Sequence, residues 1–80
     1  MGMQPTKTIY VKLLDEGTNV MRPTQGEALG GDLYRLLPTP DYDPDDEHWE
    51  FPPGSVVRAY AEIRSGEEIW VAREIVSTNR

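Results

Sequence analysis

Apolar and polar side chains begin to alternate at Thr8. Ile9, Val11 and Leu13 take turns with Tyr10, Lys12 and Leu14, a period of two rich in β-branched residues that predicts a strand. Asp15-Glu16-Gly17-Thr18-Asn19 supplies turn chemistry. Val20-Met21-Arg22 starts a second extended piece, but Pro23 has no N–H for a ladder, so this strand is expected to be an edge, bulged or interrupted there. Gly26 and Gly30-Gly31-Asp32 bracket a short piece around Ala28-Leu29, and Leu33-Tyr34-Arg35-Leu36-Leu37 reads as a third strand.

The pattern breaks at Pro38. Pro38-Thr39-Pro40-Asp41-Tyr42-Asp43-Pro44 sustains neither a helix nor a central strand, and the Pro38 to Glu50 stretch is read as one long loop. Inside it, Asp43 as N-cap, Pro44 at the first helical position and Asp45, Asp46 and Glu47 in the first turn predict about one helical turn. Alternation resumes at Trp49-Glu50-Phe51 and stops at the Pro52-Pro53-Gly54 turn. Ser55 to Arg64 is the clearest strand, with Val57, Ala59, Ala61 and Ile63 on one face and Val56, Arg58, Tyr60 and Glu62 on the other. Ser65-Gly66-Glu67 connects it to Glu68 to Val76 as a hairpin.

Five or six short strands joined by Gly and Pro turns predict a mainly β domain, a small SH3-like antiparallel barrel with one long acidic loop, since closure hides edges that a flat sheet this small would expose. An open antiparallel sheet with one face under the loop is the alternative. Residues 1–7 are expected to form a flexible leader, 8–76 the single β domain and 77–80 a flexible C-terminus.

Eighty residues suffice for one core, and folding at this size buries only about 60 to 65% of the unfolded surface, so stability is expected to be marginal. The absence of cysteine removes disulfides, thiolate nucleophiles and Cys-rich zinc sites, and it suits a reducing cytoplasm. Fourteen acids against eight Lys and Arg give a net charge of −6, which disfavours nucleic acid and anionic lipid as partners. No apolar stretch approaches the roughly 20 residues of a membrane span. Met1-Gly2-Met3-Gln4-Pro5-Thr6 matches the loose M-G-x-x-x-[ST] myristoylation template, but no basic cluster accompanies it and a frayed leader is the plainer reading.

Three separated segments, Val11-Lys12-Leu13-Leu14-Asp15-Glu16-Gly17, Arg22-Pro23 and Trp49-Glu50-Phe51-Pro52-Pro53-Gly54-Ser55-Val56-Val57-Arg58, resemble a group of short bacterial single-domain proteins of unassigned function. The resemblance spans roughly Ile9 to Val76 and departs at Met21, where that group carries a bulky aromatic residue. It implies a free-standing bacterial domain and no activity.

Candidate chemistry concentrates in the loop, where Asp41, Asp43, Asp45, Asp46, Glu47 and Glu50 fall within ten residues. Asp41-x-Asp43-x-Asp45 copies the opening of an EF-hand, but Asp46 and Pro52 stand where that motif needs glycine and a bidentate glutamate, leaving at most a weak divalent-cation site. His48 is the single histidine, so a His-pair metal site is excluded and no nucleophile accompanies it. Adjacent pairs such as Glu67 and Glu68, or Asp45 and Asp46, cannot flank a glycosidic bond. No enzyme is expected, and no catalytic residue, cofactor or metal.

Trp49, Phe51, Tyr60 and Trp70 are core candidates that, if exposed, would line an aromatic groove. Arg22, Arg35, Arg58 and Arg73 are expected to pair across strands with Glu27, Glu62 or Glu74, unless three of them converge on an anion site. The resulting expectation is a protein-interaction module that uses Asp43, Asp45, Asp46, Glu47, Trp49 and Arg58 to receive a basic protein partner. The alternatives are a self-associating structural domain, monomer or weak homodimer, and a weak divalent-cation or small-anion binding domain.

Overall fold

The computed structural model describes residues 5–16 and 20–77, and these contain strands and turns but no helix. The strands are β1 (Thr6–Leu14), β2 (Met21–Gly30), β3 (Leu33–Leu36), β4 (His48–Trp49), β5 (Val56–Arg64) and β6 (Glu67–Ser77). β1 starts two residues before the expected Thr8. β6 runs one residue past the expected Val76 and takes Ser77 from the expected 77–80 tail; the rest of that tail, the first four residues of the myristoylation template and the 17–19 part of the first turn lie outside the described residues.

Of the three expectations at Pro23, the structure shows the edge: β2 runs unbroken from Met21 to Gly30, with neither a bulge nor an interruption at the proline. It pairs with β1 from Thr6↔Glu27 to Lys12↔Met21 without a register shift, and Pro23 sits opposite Tyr10. Pro23 is tolerated because β3 pairs only from Gly26 onward, which leaves the other side of Pro23 without a strand. Gly26 is buried, and a Cβ there would stand 2.8 Å from Ile9 Cγ1 and 3.1 Å from Tyr34 Cβ. Glycine is thus present because two strands press together at this point, not because the chain turns.

Alternate residues of each strand point inward, as the pleat requires. Ile9 and Val11, Tyr34 and Leu36, Val57 and Ala59, and Ala72 form the core with Trp49 and Phe51. Thr24, also buried, satisfies its hydroxyl by donating to the Leu37 carbonyl at 2.5 Å. β5 and β6 make the hairpin expected from the sequence, closed by Ser65 and Gly66 with φ of 51° and 81°. Positive φ at both central residues is what a type I′ turn demands.

Five strands close into a ring, β1–β2–β3–β5–β6–β1. The first four junctions are antiparallel. An odd number of strands joined in this way brings the first and last into the same direction, so the closing junction has to be parallel, the weaker kind of ladder. It is in register at one pair, Tyr10↔Val71. The expectation of an all-antiparallel arrangement is corrected at this junction.

The long loop closes one end of the ring. β4 pairs with the far end of β1 through Leu13↔Trp49 and Leu14↔His48, and Glu50 N–H donates to the Lys12 carbonyl. Trp49 and Phe51 thereby enter the core at 4% and 8% exposure, and Tyr42 meets Trp49 edge to face at 4.9 Å. The loop is long because its chain has to cross this end and return with two aromatic side chains.

Candidate functional site: the acidic loop and the ring's incomplete seam

The loop acids divide into those that hold the loop and those that face water. Arg22, which the β1–β2 register places opposite the buried Val11, reaches under the loop and donates from Nη2 to Asp41 Oδ1 at 2.6 Å. Its Nε lies 3.2 Å from Glu47 Oε1, and the same Glu47 oxygen accepts the Trp49 indole N–H at 2.9 Å. The Arg22 hydrogen bond holds the Asp41 carboxyl below the usual aspartate range. Glu47 is therefore a bracket for a buried tryptophan more than a surface acid.

Asp43 caps its own turn. Its carboxylate accepts from Asp45 N–H at 2.9 Å, while its carbonyl accepts from Asp46 N–H and Glu47 N–H, both at 2.9 Å. This is a single hydrogen-bonded turn, and no helix is assigned there. Asp45 and Asp46 are exposed. His48 Nδ1 lies 2.7 Å from Asp15 Oδ2, which ties β4 to the end of β1 at the surface. Among the described residues no three His, Asp and Glu side chains converge as a metal-ligand set.

The six residues expected to form one partner surface are not brought together. Trp49 is buried beneath the loop and unavailable to a partner. Arg58 lies on β5, with Asp32 at 3.0 Å and Glu74 at 3.2 Å. Asp32 is the main cause of a raised Arg58 pKa, and neither of its carboxylate partners belongs to the loop. Of those six residues, Asp43, Asp45 and Asp46 remain exposed on the loop itself.

The other arginines pair as the sequence suggested, with Arg35 on Glu27 at 3.3 Å and Arg73 on Glu62. Arg64 shares Glu62 at 3.3 Å. Every arginine among the described residues thus has a carboxylate partner, and no group of three converges on an open anion site.

Concave surface lies elsewhere, at the seam. Before Tyr10↔Val71, β1 and β6 have no further residues in register, so Thr6–Thr8 has no paired strand on the side away from β2 and Glu67–Ile69 has none on the side away from β5. Two adjoining clefts open here. One of about 340 Å³ is lined by Tyr10, Met21, Arg64, Ser65, Glu67 and Ile69. Its neighbour of about 460 Å³ is lined by Thr8, Tyr10, Glu67, Glu68, Ile69 and Trp70.

Register places Tyr60, Val71, Tyr10 and Pro23 in one row across β5, β6, β1 and β2, an apolar band on the outer face beside the clefts. Within it Val71 is 1% exposed and Tyr60 40%. Loss of water around the Tyr60 hydroxyl, followed by the Glu74 carboxylate, raises its pKa.

Reasoning from the sequence missed this seam. The available signal was the strand count, since five strands in up-and-down order force one parallel junction. The chain matches no protein-family model, no curated protein and no solved structure.

Proposed function

We propose that this chain is a protein-interaction module, built on an SH3-like barrel, that receives an extended segment of a basic partner protein at the β1–β6 seam. The observation that carries the reading is the single in-register pair closing the ring, which leaves backbone donors and acceptors of Glu67–Ile69 beside a mixed apolar and acidic cleft. An unpaired strand edge flanked by side-chain pockets suits recognition by strand addition, in which main-chain hydrogen bonds give affinity and alternate side chains give specificity.

The net charge of −6 favours a basic segment and repels nucleic acid. Asp43, Asp45 and Asp46 act in this reading as part of the attracting field, not as contact residues. A cysteine-free chain suits a reducing cytoplasm, where we place the partner.

A second reading, self-association, is favoured by the far end of β6, where Ile75 and Val76 are 45% and 47% exposed. It requires a sedimentation coefficient that rises with concentration in the absence of any peptide.

The test of the first reading is an NMR titration of the labelled chain at low salt with an eight-residue peptide of alternating Lys and Val. Saturable shifts at Thr8, Tyr10 and Glu67–Val71 amides are expected, with none from the Glu-for-Lys peptide. Absence of saturation, or shifts confined to Asp43, Asp45 and Asp46, overturns the seam as the docking edge.

A further inference from the structure

Trp70, which lines the wider seam cleft, makes a contact that the fold alone does not require. Lys7, from β1, places its Nζ 3.8 Å from the centroid of the Trp70 ring on β6, within the range of a cation–π contact. Trp70 is only partly buried against the core, so part of its side chain stays accessible and Lys7 lies over the ring. Glu67 and Glu68 are exposed beside it and make no ion pair with any described residue, although every described arginine in the chain has found a carboxylate. An aromatic face with free carboxylates beside it is the chemistry that holds a lysine or arginine side chain.

We propose that Trp70, Glu67 and Glu68 form a subsite for a basic side chain of the docked segment, and that Lys7 fills this subsite in the free protein as a built-in competitor. The inference rests on the seam reading above and deepens it by naming the group recognised. Strand geometry fits it, because Glu68 and Trp70 are two residues apart and project to one side of β6, while Glu67 and Ile69 project to the other. A segment pairing with the β6 edge would present alternate side chains to these two sides, a basic one to Trp70 and Glu68 and an aliphatic one toward Ile69 and Tyr10. Glu67 stands at the junction, where either cleft is within its reach.

Docking then exchanges one cation for another on the same ring. With both side chains half-buried, the Lys7 contact is worth about 0.5 to 1 kcal/mol, so its removal should tighten binding of the alternating Lys-Val peptide by about two- to fivefold. Lys12→Ala is the control, since Lys12 is an exposed β1 residue carrying the same charge, and its side-chain row faces away from Lys7 across two pleats.

The experiment measures peptide affinity for the wild-type chain, Lys7→Ala, Lys12→Ala and Glu68→Gln, and follows the Trp70 indole N–H resonance in each. The expected result is tighter binding for Lys7→Ala than for Lys12→Ala, weaker binding for Glu68→Gln, and a Trp70 indole shift that vanishes when norleucine replaces the peptide lysines. Equal affinities for Lys7→Ala and Lys12→Ala, or an indole resonance indifferent to norleucine, overturn the subsite while seam amide shifts persist. Loss of all seam shifts with every variant, wild type included, instead refutes the docking edge itself, so the two failures are distinguishable.

Discussion

Gly26→Ala puts the packing argument at its sharpest. The added methyl would lie 2.8 Å from Ile9 Cγ1 and 3.1 Å from Tyr34 Cβ, whereas carbon atoms at optimal separation sit about 3.5 to 4.0 Å apart. Ile9 is 0% and Tyr34 7% exposed, so neither neighbour can retreat into solvent. Overpacking of this kind costs about 1 to 3 kcal/mol. The opposing effect, relief of glycine's entropy in a strand interior, contributes about 0.5 to 1 kcal/mol.

The clash is the larger effect, and a net loss of about 1 to 2 kcal/mol is expected, a fall in Tm of roughly 4 to 16 °C for a domain of this size. Urea denaturation and thermal melts followed by circular dichroism provide the measurement. In an Ile9→Ala background, held folded with sucrose, the same substitution should cost clearly less, because the nearer of the two clashing atoms is gone and the new methyl occupies part of the cavity. A Gly26→Ala chain as stable as wild type, or an identical cost in both backgrounds, would refute the close-approach explanation of this glycine.

Glu47→Ala removes the acceptor of the buried Trp49 indole and a counter-charge of Arg22. It should cost about 1 to 3 kcal/mol in urea denaturation, while Glu47→Gln, which keeps the acceptor oxygen, should cost clearly less; equal losses would discount the bracket. Ser65 sits at φ 51°, a region that asparagine tolerates far better than serine. Ser65→Asn is therefore expected to stabilise the hairpin by about 0.5 to 1 kcal/mol, and a lower urea midpoint would contradict it.

The Asp41 carboxyl, held down by Arg22, should titrate by carbon-detected NMR below the ordinary aspartate value of about 3.9. Because the folded pKa is the depressed one, the contact's stabilisation is complete above that value and is lost as pH falls through the folded pKa. Arg22→Ala should return the midpoint upward, and an unchanged midpoint would sink the assignment.

The strands that were legible in the sequence are those whose alternation is uninterrupted, namely β1, β3 and the β5–β6 hairpin. Pairings of Arg35 with Glu27, Arg58 with Glu74 and Arg73 with Glu62 were equally legible, because cross-strand neighbours follow once strands and turns are placed. In β2 the edge at Pro23 was among the legible outcomes, but Gly26 was read as a boundary, because nothing local distinguishes a glycine required by turning from one required by the close approach of Ile9 and Tyr34.

Trp49 carried a readable signal, since His48, Trp49, Glu50 and Phe51 alternate exposed and buried, yet its nearness to the acids favoured a surface reading. Its fixing depends on Arg22, 27 positions away from it in the chain, through Glu47. Such long-range partnerships, like the seam, follow only from the order in which strands meet.

The parallel junction also determines where the strand ends emerge. β1 begins four residues before Tyr10 and β6 ends six residues after Val71, and because the two run in the same direction, Thr6 and Ser77 lie at opposite ends of the molecule. At about 3.3 Å per residue the separation is roughly 30 Å. Circular permutation, which in most small domains needs only a few linking residues because the ends are neighbours, would here need about ten in extended form. Sequences joined beyond Thr6 and Ser77 would accordingly depart from opposite ends of the domain.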